Sequence, residues 1–181
     1  MADTRLFWLD LETTGLEPGK ADILEVGVII TDPYLNELAS YHALVEPRHN
    51  FMDYMDDYCF RMHTDNGLLG EIEKGAHKLS SVEHDLEDFI RTNVLDVNYI
   101  AGSSIHFDVR FLKHYMPSIF KVPKLSYRLL DVSSLKIAYE LQGWPSPPRS
   151  KVAHRTLDDC RGSIEEYRFY MQRIKDYGDM R

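Results

Sequence analysis

Two carboxylates, Asp10 and Glu12, stand two residues apart directly after the run Leu6-Phe7-Trp8-Leu9. On an extended strand side chains alternate, so both acids project from one face, roughly 7 Å apart along the chain. Leu6 and Trp8 precede them on that face. Acids at the edge of a core repel one another and resist desolvation unless a cation lies between them; the simpler alternative is a solvated strand end. Asp108 is a third acid, in the run Ala101-Gly102-Ser103-Ser104-Ile105-His106-Phe107-Asp108, at the start of a predicted helix. The helix dipole alone favours an acid there, but adjacent strands of a mixed sheet share an edge, which brings Asp108 toward the first pair. His154 and Asp159 close the set. Read singly, His154 is a loop histidine, and Thr156-Leu157-Asp158-Asp159 fits a capping box with Thr156 as the cap. Together the five supply four hard oxygen ligands and one group that titrates near neutrality. Four carboxylates suit two divalent cations, Mg²⁺ or Mn²⁺, and not zinc. Two such ions ~3.5–4 Å apart clamp the attacking and leaving oxygens of a phosphodiester hydrolysis, and a histidine can deprotonate the water.

Residues so far apart in sequence need a scaffold that collects them. Arg5 to Leu11 reads as a strand apolar on both faces, hence central in a sheet. Ile23 to Thr31 is a second, β-branched strand. Asp32-Pro33 opens a turn, and Glu37 to Glu46 makes a third strand ended by Pro47. The short connections imply an antiparallel meander. Between Asn50 and Gly75 the chain is polar, aromatic and methionine-rich, with Gly67, Gly70 and Gly75 punctuating short helices. Ser80 or Ser81 then caps an amphipathic helix with Val82, Leu86, Phe89 and Ile90 on one side. Tyr99 to Ala101 is a short strand ending at Gly102, and the next helix runs through Phe107, Phe111, Leu112 and Tyr115 to Pro117. Tyr127 to Leu130 is the fifth strand. Asp131 caps a helix reaching about Gln142 and closed by Gly143. Trp144 to Ser150 is a loop, and Arg155 to Lys175 the long terminal helix. The pattern predicts an α/β fold: a mixed five-stranded sheet flanked by helices.

At 181 residues the chain suits one domain, 1–181, with one good core. Its net charge of −8 argues against a protein that coats long nucleic acid. The charge is divided unevenly: residues 1–90 hold 6 Lys/Arg against 19 Asp/Glu, and residues 91–181 hold 15 against 10. That asymmetry suits a site that collects cations and also holds an anion, although ordinary surface variation gives it too. No apolar run approaches the ~20 residues of a membrane-spanning helix, and the first residues do not read as a leader. Cys59 and Cys160 lack metal-type spacing, so reduced thiols in an intracellular compartment are expected. The cytoplasm fits, or a mitochondrion if a presequence has been removed.

The residues Asp10-x-Glu12, Asp108 and His154-x4-Asp159, in this order, resemble the DEDDh branch of the 3′→5′ exonucleases. Within that branch, Asp10-Leu11-Glu12-Thr13-Thr14-Gly15-Leu16, HYMPS from His114, YRLLDVSSLK from Tyr127 and HRTLDDCRGSIEEYRFY from His154 are similar to the oligoribonuclease family. The resemblance runs from about Arg5 to Tyr170. It implies an RNase H-like exonuclease fold and removal of nucleotides from the 3′ ends of very short RNAs, dinucleotides foremost. It further implies a homodimer in which a loop of one subunit closes over the other's site. By the same resemblance Leu16 and Tyr58 grip the bases, while Ser104, Ser133 and, across the dimer, Tyr127 and Arg128 hold the 5′ phosphate. His63 also falls on a family position near the site. Stacking on Tyr58 tolerates any base, and Arg128 can grip phosphate with a bidentate fork.

Three positions depart from the family's usual residues: Tyr58 stands for Trp, Ser103 for the Asn of a Gly-Asn pair, and Ser126 for the His before Tyr127. Two other readings use the same residues. A DEDDh exonuclease trimming longer RNA or DNA 3′ ends shares the five but generally lacks the Tyr-Arg pair. A catalytically silent nucleotide-binding scaffold is expected to have lost a metal ligand, and none is lost here.

Overall fold

Five strands, Thr4–Thr13 (β1), Ile23–Thr31 (β2), Glu37–Leu44 (β3), Val97–Gly102 (β4) and Leu125–Asp131 (β5), form one sheet in the order β3-β2-β1-β4-β5. They belong to a computed structural model that describes residues 3–48, 55–147 and 154–179. The first three strands pair antiparallel, as their short connections require, and β4 and β5 add in parallel. The described residues also form six α-helices: α1 (Asp57–Asp65), α2 (Leu68–Lys74), α3 (Leu79–Asn93), α4 (His106–Tyr115), α5 (Val132–Leu141) and α6 (Thr156–Asp179), with a 3₁₀ turn at Pro117–Lys121.

Alternation along β1 assigns the two faces of the sheet. Phe7, Leu9 and Leu11 join Val82, Leu86 and Ile90 of α3 and Val109, Phe111 and Leu112 of α4 in one core. Leu6 and Trp8 join Val132 and Tyr139 of α5 and Cys160, Ile164 and Tyr170 of α6 in the other. Asp10 and Glu12 therefore continue the face that α6 covers. A smaller cluster packs Leu24 against Leu68, Leu69 and Ile72 of α2.

Several expected boundaries shift. β1 reaches Thr13, so both acids lie inside the strand and not at its tip. β3 stops at Leu44, and Val45 bridges instead to His77. β5 is longer than expected at both ends. Neither Ser80 nor Ser81 caps α3: the helix begins at Leu79, with Lys78 before it and no side-chain cap. Gly70 lies inside α2, whereas Gly67 and Gly75 flank it with positive φ. Asp131 does cap α5, accepting from the Ser133 N–H at 3.0 Å, and Gly143 follows the helix in the left-handed region. The last three residues of the Trp144–Ser150 loop lie outside the described residues.

Candidate active site

Asp108 reaches β1 through the backbone. The β1–β4 ladder ends at Trp8 and Ala101, so the Leu11 N–H beyond it needs another acceptor. Asp108 Oδ1 accepts it at 3.0 Å from the first turn of α4. Gly102 permits the approach, because a Cβ there would meet the Leu9 carbonyl oxygen at 2.8 Å.

The other side of the site depends on how closely α6 lies on the sheet. A Cβ on Gly27 of β2 would collide with the Thr156 side chain. The glycine thus lets the first turn of α6 rest on the strand, and Glu12, His154 and Asp159 then offer ligand atoms that all lie within 4.8 Å of one another. Thr156 does not cap α6. Its own N–H donates to Glu25 Oε2 at 3.0 Å, its hydroxyl is buried without a partner, and the Asp159 N–H bonds to the Arg155 carbonyl. The capping-box reading of Asp159 falls with it. Asp158 points away, exposed and 3.7 Å from Arg161.

The acids repel in the protein's own field. Burial, followed by the charges of Asp159, Glu25 and Asp108, pushes the Glu12 carboxyl up to about 8, against the opposing pull of Arg155. Burial raises Asp108 to about 7, although backbone N–H donors, Leu11 among them, work the other way. Asp10 is raised well above the carboxylate range by burial and by Asp108, Glu12 and Asp159. Carboxyls so arranged favour a divalent cation, which relieves both the crowding and the desolvation.

The remaining expected residues separate into groups. Ser104 and Ser133 come together: their hydroxyls lie 3.1 Å apart, and the Ser104 N–H donates to Ser133 Oγ and Asp131 Oδ1. Leu16, 73% exposed, follows β1, and its carbonyl accepts from Arg110 at 2.8 Å. Tyr58, 66% exposed, is on α1. Tyr127 and Arg128 sit on the edge strand β5, separated from β1 by β4; Tyr127 is 88% exposed, with the guanidinium 5.6 Å from its ring. His63 is buried entirely under the end of β1, where Nε2 donates to the Thr13 carbonyl at 3.0 Å and Nδ1 has no partner. Ser103 bonds Ser163 of α6 at 2.9 Å, and Ser126 Oγ accepts the Arg128 N–H.

One cluster beside the site escaped the sequence reading. Glu25, fully buried on β2, accepts from His42, Arg155 and Thr156, and Arg155 also bridges to Glu71 of α2. Burial pushes the Glu25 carboxyl up, but these donors outweigh it and hold it below the usual range. The available signal was an acid inside the apolar run Ile23-Leu24-Glu25-Val26, which demands a partner.

Comparison with known proteins shows the family and the fold. The exonuclease family model named RNase_T matches residues 7–167. The oligoribonuclease of Actinobacillus pleuropneumoniae serotype 5b (strain L20) is 40% identical over 172 residues, covering 91% of each chain. The chain belongs to the oligoribonuclease family. A second oligoribonuclease, from Francisella tularensis subsp. tularensis (strain WY96-3418), is 36% identical across 93% of this chain and 95% of its own. In fold this family member resembles E. coli exonuclease I solved with a dT13 oligonucleotide, with a TM-score of 0.71 at 15% identity. It also resembles the zinc-bound form of the exonuclease I complex with single-stranded DNA, with a TM-score of 0.70 at 16% identity. These alignments cover 96% and 97% of this oligoribonuclease-family chain but only 43% and 42% of the neighbours. Its fold is the RNase H-like exonuclease fold that the resemblance implied.

Proposed function

We propose that the protein hydrolyses very short RNA, dinucleotides foremost, to mononucleotides from the 3′ end. The observation that carries the reading is the convergence of Glu12, His154 and Asp159 within 4.8 Å, beside Asp10 and Asp108, in a chain of the oligoribonuclease family. Membership of that family makes it a 3′→5′ exoribonuclease. Asp10, Glu12, Asp108 and Asp159 would hold two divalent cations, Mg²⁺ or Mn²⁺, for which their oxygen donors are suited. Bound there, the cations supply charge stabilisation to the attacking and leaving oxygens. His154 takes the proton of the attacking water at its imidazole.

The substrate is gripped at both ends. The paired Ser104 and Ser133 hydroxyls donate to the 5′ phosphate, and Leu16 and Tyr58, both exposed, press on the bases. His63, expected to bind substrate, is fully buried under the end of β1 with Nε2 3.9 Å from Glu12 Oε2, so it backs the acids and does not touch substrate. Tyr127 and Arg128 complete the phosphate cap of a second subunit, so the working form is a homodimer. Among the described residues no helix is long and apolar enough to cross a membrane, and the free thiols Cys59 and Cys160 fit a reducing compartment, the cytoplasm or a mitochondrion.

The test incubates the protein with labelled dinucleotides and with 20-mers of RNA and DNA, with and without Mn²⁺. Preferential cleavage of dinucleotides, dependent on the ion, supports the reading. Equal or faster trimming of the 20-mers shows a general 3′-end exonuclease, and inertness toward all three shows a silent scaffold.

A further inference from the structure

His154 has φ of +50°, in the left-handed region that a residue with a Cβ rarely adopts. Such a conformation persists only where the surroundings over-determine it. Here three elements do so. Asn66, at the junction of α1 and α2, donates from Nδ2 to the His154 carbonyl at 2.5 Å. The next residue, Arg155, forks between two acids: Nε and Nη2 donate to Glu25 Oε1 at 3.0 and 2.9 Å, and Nη1 and Nη2 donate to Glu71 Oε1 and Oε2 at 3.1 and 2.7 Å. The residue after that, Thr156, gives its N–H to the second oxygen of Glu25. Glu25 also accepts from His42 of β3 at 2.6 Å.

The placement of Glu25 links this clamp to the chemistry. It is the direct ladder partner of Glu12 across β1 and β2, so one strand pair carries both a site acid and the anchor of the histidine segment. A fully satisfied network anchored on the buried Glu25 carboxylate is stiff, and the planar fork of arginine spans two carboxylates in a way lysine does not. Glu71 and Asn66 are outside the cluster that could hold an ion.

We propose that Glu71 and Asn66 are positioning residues for His154, holding its imidazole against Glu12 and Asp159 through Arg155 and the His154 carbonyl. The proposal rests on His154 being the proton acceptor of the hydrolysis. Glu71 is the better handle, because its side chain is 45% exposed and its replacement spares the core.

The experiment introduces Glu71→Gln and Asn66→Ala separately, each into the wild-type protein and into His154→Ala. Single-turnover cleavage of a labelled dinucleotide at saturating Mn²⁺ is measured with the thermal midpoint of every variant. In the wild-type background each change should lower the rate about 10–100-fold, with KM little changed and Glu71→Asp restoring part of the loss. In the His154→Ala background the same changes should cost nothing further, because the group they position is gone. Equal fold-losses in both backgrounds would mean that Glu71 and Asn66 act on the fold or on the metal ligands, and wild-type rates would mean that the clamp is idle; either overturns the proposal. Near-normal turnover by His154→Ala alone removes the proton-acceptor reading itself, and the positioning role with it.

Discussion

At the scale of single residues the site is a set of acids that the fold pushes together against their own repulsion. Glu12 is raised to about 8 and Asp108 to about 7, from ordinary values of 4.5 and 3.8. Between those ordinary values and the raised ones the folded protein keeps protons that the unfolded chain has already released. Stability is therefore full below the ordinary values and falls as pH rises through the raised ones. In chelator, the thermal midpoint should decline from about pH 5 to about pH 8, and Mg²⁺ or Mn²⁺ should raise it most at the alkaline end. A flat profile in chelator would show that burial and the neighbouring charges do not raise these acids. Asp10 and Asp108 should then part company on mutation. Asp10→Ala should abolish cleavage while holding or raising the ion-free midpoint, because it removes repulsion only. Asp108→Ala should also abolish cleavage but lower stability by about 1–3 kcal/mol, since the Leu11 N–H loses its acceptor. Asp108→Asn, which keeps an acceptor, should recover the stability and not the activity. Calorimetry beside a cleavage assay separates these outcomes.

At the scale of elements, the contact between α6 and β2 decides whether His154 and Asp159 reach Glu12. Gly27→Ala places a methyl group on Thr156, and overpacking of this kind costs about 1–3 kcal/mol. Activity should fall more than stability alone explains, because the displaced turn carries two of the five functional groups. Gly70→Ala is the natural control: a Cβ there meets nothing within 4 Å, and inside α2 it should stabilise by about 0.5–1 kcal/mol. Retention of full activity by Gly27→Ala would show that the approach of α6 is not critical. The same helix turn distinguishes its two neighbouring acids. Asp159→Asn should inactivate, whereas Asp158→Asn should be tolerated, since Asp158 faces solvent and Arg161. Parallel rate measurements on the two variants check this directly.

At the scale of the whole molecule, the exposed Tyr127 and Arg128 occupy an edge strand with β4 between them and the acids of β1. In the proposed symmetric dimer each subunit would complete its neighbour, which would remove the problem of reach. Arg128→Ala should weaken dinucleotide cleavage much more than cleavage of longer RNA, through loss of a charge-assisted phosphate contact of about 1.5–3 kcal/mol. Mixing Asp10→Ala with Arg128→Ala subunits should rebuild one site with wild-type groups from both chains and restore part of the activity. If proven exchange restores nothing, Arg128 serves its own subunit.

What the sequence by itself determined were the features that depend on local pattern or on residue chemistry. Apolar and β-branched runs and the turn residues between them identified the strands and the antiparallel meander, and the apolar spacing of Val82, Leu86 and Ile90 identified the inner face of α3. Five residues of three types in a fixed order, within strings extending along most of the chain, identified the family. Tertiary structure alone decided where α6 begins, because its first N–H is satisfied by Glu25, 131 residues earlier, and not by the nearby Thr156. It alone put the Ser104 and Ser133 hydroxyls 3.1 Å apart and tied Arg155 to acids 130 and 84 residues away, whereas the spacing after His154 had already singled out Asp159 over Asp158. The physical reason is common to all of these. A buried donor or charge takes whichever partner the packed fold brings within about 3 Å, and local spacing carries no record of which distant side chain that is.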